Sequence, residues 1–407
     1  MHVMSRLLKA ATAIGLLLIV ATPGEAAAQA TSTQLQVPIV YITQKEDLRL
    51  PLSLLDSIIE DEGVQGARLG IDDNQTTGRF LKQDYELAEA LVPKDGDLVA
   101  AFKEQLADGR HLFVADVHAD QLLALADTTE AADAVIFNIR APDDALRNDQ
   151  CRPNVFHVIP SRAMKADALA QYLAWKKWRN WFLVYGHGEG DLKFAEAVRR
   201  SAKKFGAKIV EDREFKGDAP SARTDTGHVQ IQTQMPVFTQ GAPDYDVLMV
   251  ADESDIFGEY LPYRTWDPRP VVGTQGLIPT AWHRSQEQWG ATQIQRRFEK
   301  LAGRWMTERD YAGWVAVRSI GEVVTRTGTI APAAVRSYLR SDKFDVGAFK
   351  GQGLTFRSWN QQMRQPILLA APRSLVSVSP QNGFLHPKSF LDTMGFDEPE
   401  SSCHLDK

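Results

Sequence analysis

Cysteine is scarce: the 407 residues hold two, Cys151 and Cys403, and no C-x-x-C pair. A dithiol redox motif and a zinc ribbon are therefore excluded. In an oxidising compartment two cysteines most simply form one disulfide, here strapping the polar C-terminal tail to the body. Two free thiols, or pairing between chains, are the competing arrangements. Catalytic signatures are missing as well. G-x-S-x-G, H-E-x-x-H and G-x-x-x-x-G-K-[ST] do not occur, and no nucleophile–base constellation or cofactor fingerprint replaces them. An enzyme is not expected, nor a resident cofactor or metal. A net charge of -6 leaves no basic footprint for nucleic acid or an anionic membrane, although a local basic pocket would still suit a small anion.

Long hydrophobic runs are also absent beyond the first residues. Arg6 and Lys9 precede the apolar run Ala10 to Ala21, and small residues follow to Ala28-Gln29-Ala30. That is the tripartite pattern of a cleaved export signal. A membrane anchor needs about 20 apolar residues, and Pro23, Gly24 and Glu25 cut this run short. Residues 1–30 are expected to be a signal peptide and the mature protein to be soluble and exported.

What the chain has is alternation of strands and helices. Arg152 to Val210 reads as a strand, a helix, a buried strand, a glycine-rich turn, a helix and a strand. Ala168, Tyr172, Trp175 and Trp178 recur at helical spacing, and Trp181 to Tyr185 is a short β-compatible run closed by Gly186. Upstream, the composition predicts strands at 37–42, 67–71, 111–115 and 134–138, with helices at 51–62, 79–91, 102–107 and 119–126. Asp72-Asp73-Asn74 reads as a solvated turn, since the glycine and glutamate of a calcium loop are misplaced. Downstream, strands are predicted at 246–251, 270–274, 354–357 and 366–371, and a long helical region over 291–327. Repeated βα units with short turns imply parallel sheets covered on both faces.

Gly186-His187-Gly188-Glu189-Gly190-Asp191 is too irregular for a phosphate loop but suits a strand-to-helix turn beside a cleft. Its His187, Glu189 and Asp191 lack the partner spacing of a metal site. Of nine tryptophans, Trp175, Trp178 and Trp181 read as packing, while Trp282 and Trp314 are the two assigned toward ligand contact.

The strings RLGIDDNQTTGR (68–79), NVFHVIPS (154–161), FLVYGHGEGD, AEAVRRSAKKFGAKIV, DVLMVAD, VVGTQG and DYAGWVAVRSIGEVV, in this order and spacing, resemble the type I periplasmic binding proteins, the substrate-binding subunits of ABC importers for branched-chain amino acids and related ligands. The resemblance implies an α/β fold of two Rossmann-like lobes with parallel sheets joined by a hinge. The first lobe would take residues 36–158 and 284–330, the second 159–283 and 331–372, with crossings near 158, 283 and 330 and a tail over 373–407. It also implies a monomer that hands a small molecule to a membrane permease and ATPase. At the ligand the chain departs from amino-acid binders. His118 and Arg140 stand where hydroxyl residues are usual, and Gln275 replaces an acidic residue that can hold an ammonium group. These departures resemble a subfamily associated with pyrroloquinoline quinone (PQQ)-dependent alcohol oxidation. PQQ, a flat tricarboxylate, or a related aromatic polycarboxylate is the expected ligand, with Lys45, His118, Arg140, Tyr185, His187, Gln275, Trp282 and Trp314 around it. Asp116, Asp252, Glu253 and Asp255 also lie at strand ends and would repel such an anion if they faced inward. The alternatives are an amino acid or a small alcohol-derived acid as ligand, or a periplasmic sensor or accessory role beside a PQQ-dependent dehydrogenase.

Overall fold

The computed structural model describes residues 34–47, 57–217 and 231–405; the expected signal peptide lies outside them. The chain opens with β1 (Leu35–Gln44), α1 (Val64–Leu81), β2 (Gln83–Val92), α2 (Leu98–Ala107), β3 (Leu112–Asp116), α3 (Ala119–Ala126), β4 (Val135–Asn138) and β5 (Val155–His157). Its five strands form one parallel sheet in the order β2-β1-β3-β4-β5. Side chains of β1 alternate between two cores: Val37, Ile39 and Tyr41 enter one, Val40 and Ile42 the other. A strand buried on both faces needs that near-continuous apolar run.

The chain then crosses to a second lobe through α4 (Arg162–Trp175), β6 (Asn180–Tyr185), α5 (Glu189–Phe205), β7 (Lys208–Glu214), α6 (Ile231–Thr239), β8 (Val247–Ala251), β9 (Val271–Gly273) and β10 (Ile278–Thr280). Strands β7-β6-β8-β9 form a parallel sheet. It returns to the first lobe as α7 (Ala291–Ala302), α8 (Glu308–Thr327) and α9 (Pro332–Leu339), followed by β11 (Val346–Gly347), β12 (Gly353–Phe356) and β13 (Met363–Arg364). The last pair, β14 (Ile367–Ala371) and β15 (Ser374–Ser379), joins β10 in an antiparallel sheet. Cys151 and Cys403 are disulfide-bonded with Cα atoms 5.6 Å apart, so the tail is strapped to the segment just before β5.

Two sequence expectations are corrected. Residues 67–91 do not run strand, turn, helix. Residues 64–81 are a single helix and 83–92 the strand. Gly66, Gly70 and Asn74 serve a close helix contact. A Cβ on Gly66 would stand 1.7 Å from the Asp310 carbonyl oxygen, and one on Gly70 2.7 Å from Val317 Cβ. Asn74 is buried in the same seam and donates to Val317 O at 2.8 Å. The third crossing is the other correction. Val335, Leu339, Phe344, Leu354, Phe356 and Met363 belong to the first lobe's core, and Ile367 to the second lobe's. The chain therefore crosses near 365, not 330. The other two crossings lie between Val158 and Met164, and between Leu277 and Ala281.

At the third crossing Lys350 is 7% exposed and donates to Gln365 Oε1 (3.0 Å) and Pro366 O (2.8 Å). Its ammonium lies 5.0 Å from the centre of the Tyr311 ring. Burial pulls its pKa down to about 7, with the charge of Glu308 acting the other way. A lysine in the unfolded chain keeps its proton to about pH 10.4. Between those values the unfolded chain binds more protons, so this group's penalty is full below pH 7 and fades as pH rises.

Two predictions follow from these contacts. Gly→Ala in an open helix stabilises by about 1 kcal/mol, but Gly66→Ala should destabilise by about 2 kcal/mol or more through overpacking, read as a lowered urea midpoint. For Lys350, the unfolding free energy of wild type minus that of Lys350→Met should climb between pH 7 and pH 10 and stay flat below pH 6. A difference constant across the whole range would contradict the depressed pKa.

Candidate functional site

The two lobes enclose a cavity of about 570 Å³. Glu62, Arg140, Glu308 and Arg309 reach it from the first lobe, and Lys165, Asp252, Glu253, Asp255, Thr274 and Gln275 from the second. Most stand at strand ends or in the first turn of a helix, where parallel-sheet folds place their ligands.

The first-lobe wall is built on Asp116, at the end of β3. Its carboxylate is buried and accepts from Tyr41 OH at 2.6 Å. Burial, then the Asp116 charge and hydrogen bond, push the Tyr41 hydroxyl well above its usual pKa. The other oxygen, Oδ1, has no hydrogen bond among the described residues. Arg309 Nε lies 3.7 Å from it and Arg140 Nε 4.0 Å. Burial works against the Arg309 charge, yet Asp116 and Glu62 raise its pKa further. Arg309 Nη1 stands 3.3 Å from Glu62. Arg140 Nη2 donates to Glu46 Oε2 at 2.6 Å, and His118 Nε2 sits 2.7 Å from Glu46 Oε1. Burial tends to raise Glu46, but Arg140 and His118 hold it below the ordinary value.

The second-lobe wall is acidic. Asp252, beyond β8, accepts backbone N–H groups from Ile256 (2.9 Å), Phe257 (2.9 Å) and Gly258 (2.6 Å). Burial nevertheless raises its pKa. Glu253 takes a bidentate contact from Arg162, at 2.9 and 2.7 Å, the geometry in which guanidinium and carboxylate fit best. Gln275 Nε2 donates to Asp255 Oδ1 at 3.1 Å. Ion pairs also join the lobes: Lys165 Nζ lies 2.6 Å from Glu308 Oε2 and Lys193 Nζ 2.6 Å from Asp143 Oδ1, while Glu308 Oε1 accepts Ala281 N–H at the second crossing.

Among the residues expected at the ligand, Arg140 and Gln275 line the cavity. His118 and Lys45 are exposed and do not line it, although His118 pairs with Glu46, the partner of Arg140. Tyr185 lies under the Arg199 guanidinium, 4.9 Å from ring centre to carbon, and His187 is an exposed residue of the turn before α5. Neither lines the cavity. Trp282 and Trp314 are corrected outright: each is 2% exposed in the first lobe's core. Trp282 stacks on Tyr311 at 4.5 Å, and Trp314 Nε1 donates to Asp73 Oδ2 at 2.8 Å. The strand-end acids Asp252, Glu253 and Asp255 do face inward. Sequence reasoning missed Glu62, Lys165, Glu308 and Arg309. For the last two the signal existed: Thr307, a good N-cap, marks a helix start inside a region read as one long helix.

Comparison with known proteins places this geometry. A family model for periplasmic binding protein matches residues 51–233. A search of curated protein sequences finds no match. Among solved structures, a branched chain amino acid ABC transporter periplasmic ligand-binding protein from Burkholderia xenovorans LB400 is similar at TM-score 0.67 and 17% identity, covering 92% of this chain and 100% of that one. An ABC transporter substrate-binding protein from Sphaerobacter thermophilus gives 0.65 and 16%, over 89% and 100%. One from Desulfitobacterium hafniense, in complex with Leu, gives 0.61 and 16%, over 85% and 99%. With two parallel-sheet lobes, three crossings and a cavity between them, the chain has the fold of the type I periplasmic binding proteins.

Proposed function

We propose that this protein is the periplasmic capture component of an ABC importer, and that its ligand is a small solute carrying an amino group. The observation behind this reading is the interlobe cavity, to which both lobes contribute charged side chains. A solute touching both walls would bind the closed arrangement better than the open one, and that difference in affinity drives closure. The closed form is then what a permease would engage.

Cavity chemistry bears on the ligand. Five carboxylates line it against three cationic side chains, and Arg140, Lys165 and Arg309 each already have an acidic partner. A carboxylate added 4 Å from another costs up to about 4 kcal/mol at an effective dielectric of 20, and less where the first is already paired. PQQ would bring three carboxylates, and its rings would find neither Trp282 nor Trp314 on the wall. An amine, in contrast, would meet more carboxylates than cations on the walls and would exchange onto them from their present partners, as a single carboxylate beside it would onto Arg140 or Arg309. The Desulfitobacterium structure holds Leu, and a similar structure from Brucella ovis is a leucine-, isoleucine-, valine-, threonine- and alanine-binding protein, which agrees with an amino-acid-like solute.

Calorimetric titration of the purified protein with aliphatic and hydroxylated amino acids, small amines, small hydroxy acids and PQQ tests the reading. Saturable binding with Kd near 1 μM or below, about −8 kcal/mol, is expected within the amino-bearing set. Saturable binding of PQQ or of hydroxy acids alone would overturn it in favour of an anionic ligand. Closure has a separate test. The Lys165–Glu308 pair should be worth about 1 kcal/mol, a roughly fivefold bias toward the closed arrangement. Lys165→Met should increase the radius of gyration of the ligand-free protein in small-angle scattering, and an unchanged radius would show that the pair does not hold the lobes.

A further inference from the structure

Outside the cleft, a cavity of about 290 Å³ opens where α1, α7 and α8 meet. Asp73, Thr76 and Thr77 of α1, Arg297 of α7, and Trp314 and Arg318 of α8 line it. Its charges do not balance. Asp73 is the acid on its wall, and both oxygens are taken: Oδ1 by Arg297 Nη1 and Oδ2 by Trp314 Nε1. Arg318 is left with a neutral partner. Its Nη1 donates to the Asn74 side-chain oxygen, and no described carboxylate forms an ion pair with it. The nearest other acid, Glu322, is paired with Arg326 at 2.7 Å. Thr76 donates to the Asp73 carbonyl at 2.7 Å, and the Thr77 hydroxyl has no hydrogen bond among the described residues.

A half-buried guanidinium of this kind has lost much of its hydration without gaining a counter-charge. Burial pulls the Arg318 pKa down more strongly than Asp73 and Glu322 hold it up. The fork of N–H donors that Asn74 does not occupy matches a planar or tetrahedral oxyanion. We infer that this junction is a second binding site, for a small free oxyanion such as phosphate, sulfate or a carboxylate, held by the Arg318 guanidinium with Arg297 beside it and the Thr77 hydroxyl as a further donor. The site lies wholly on first-lobe elements and is independent of what the interlobe cavity holds.

Isothermal calorimetry with sulfate, inorganic phosphate and acetate tests this, in a zwitterionic buffer at ionic strength held constant with sodium chloride. One-site saturation is expected with Kd below about 1 mM, equivalent to about −4 kcal/mol. Arg318→Gln should weaken it at least tenfold and Thr77→Val several-fold, while Arg318→Lys should retain part of it as a point charge without the fork. Absence of saturable heat for all three anions overturns the inference. So does saturable binding of equal strength in Arg318→Gln. If Arg318→Gln fails to fold, judged by circular dichroism, Thr77→Val decides alone: its hydroxyl supports no other described contact, so unchanged affinity there counts against the site.

Discussion

Asp310 is the carboxylate on which the site depends. It is fully buried, and it accepts Gly63 N–H at 2.8 Å, the Arg304 guanidinium through Nη1 and Nη2 at 2.6 and 3.1 Å, and Thr307 N–H and Oγ–H at 3.0 and 2.9 Å. A buried charge is tolerated only when it is paired and fully hydrogen-bonded, and these donors supply that. They fix the start of α8 against the start of α1, so the residues on either side are fixed too. Glu308 and Arg309, the two before Asp310, are thereby presented to the cavity, and Glu62, the residue before Gly63, meets Arg309. The tight approach of α1 and α8 at Gly66 and Gly70 is the packing side of the same junction. One short contact thus serves both the core of the first lobe and one wall of the cleft.

In the cleft itself, charge is abundant but committed. Arg140 answers to Glu46, Arg309 to Glu62 and Asp116, Lys165 to Glu308, and Arg162 to Glu253. A ligand entering such a site exchanges partners rather than filling vacancies. Its affinity is then the difference between the pairs it makes and those it breaks, which rewards charge complementarity more than size. That is why the sign of the lining matters more to ligand choice than any one arginine. The positive residues visible in the sequence suggested an anion, and His118 and Arg140 both prove to be paired with Glu46.

Legibility in the sequence followed the source of each signal. The βα order from β3 to β7, and the strands β8 and β9, were readable because buried parallel strands are short apolar runs and amphipathic helices carry a period, whereas α6, in a stretch rich in Gln and Thr with Pro236 inside it, was not. Residues 67–91 were not, because Gly66, Gly70, Asp72, Asp73 and Asn74 have turn chemistry locally but serve tertiary contacts: glycine for a backbone approach, Asn74 for a hydrogen bond into α8, Asp73 for Arg297 and Trp314. The crossing near 365 was hidden for a related reason. Gln361, Gln362 and Gln365 are buried polar residues whose amides donate to backbone carbonyls at 155, 157 to 159 and 152, a pattern that hydropathy reads as surface loop. Of the site, strand-end positions were legible as positions. What faced what across the cleft was not, since Lys165 and Glu308 are 143 residues apart.

Helix α8 links the two sites, and its stiffness limits what one can do to the other. Arg309 and Arg318 are nine residues apart on it, about 13.5 Å at 1.5 Å per residue. Proximity along a rigid element is not coupling. A ligand shifts a conformational equilibrium only by its difference in affinity for the two states. Every side chain around the outer pocket belongs to α1, α7 or α8 or to the strand region beside them, all within the first lobe. A hinge motion of one lobe against the other would leave that set together. An oxyanion there would therefore stabilise the first lobe and the α1–α8 seam that carries Asp310 without favouring either the open or the closed arrangement. Influence on solute capture would require a change in how α8 presents Glu308 and Arg309, which the donors to Asp310 oppose.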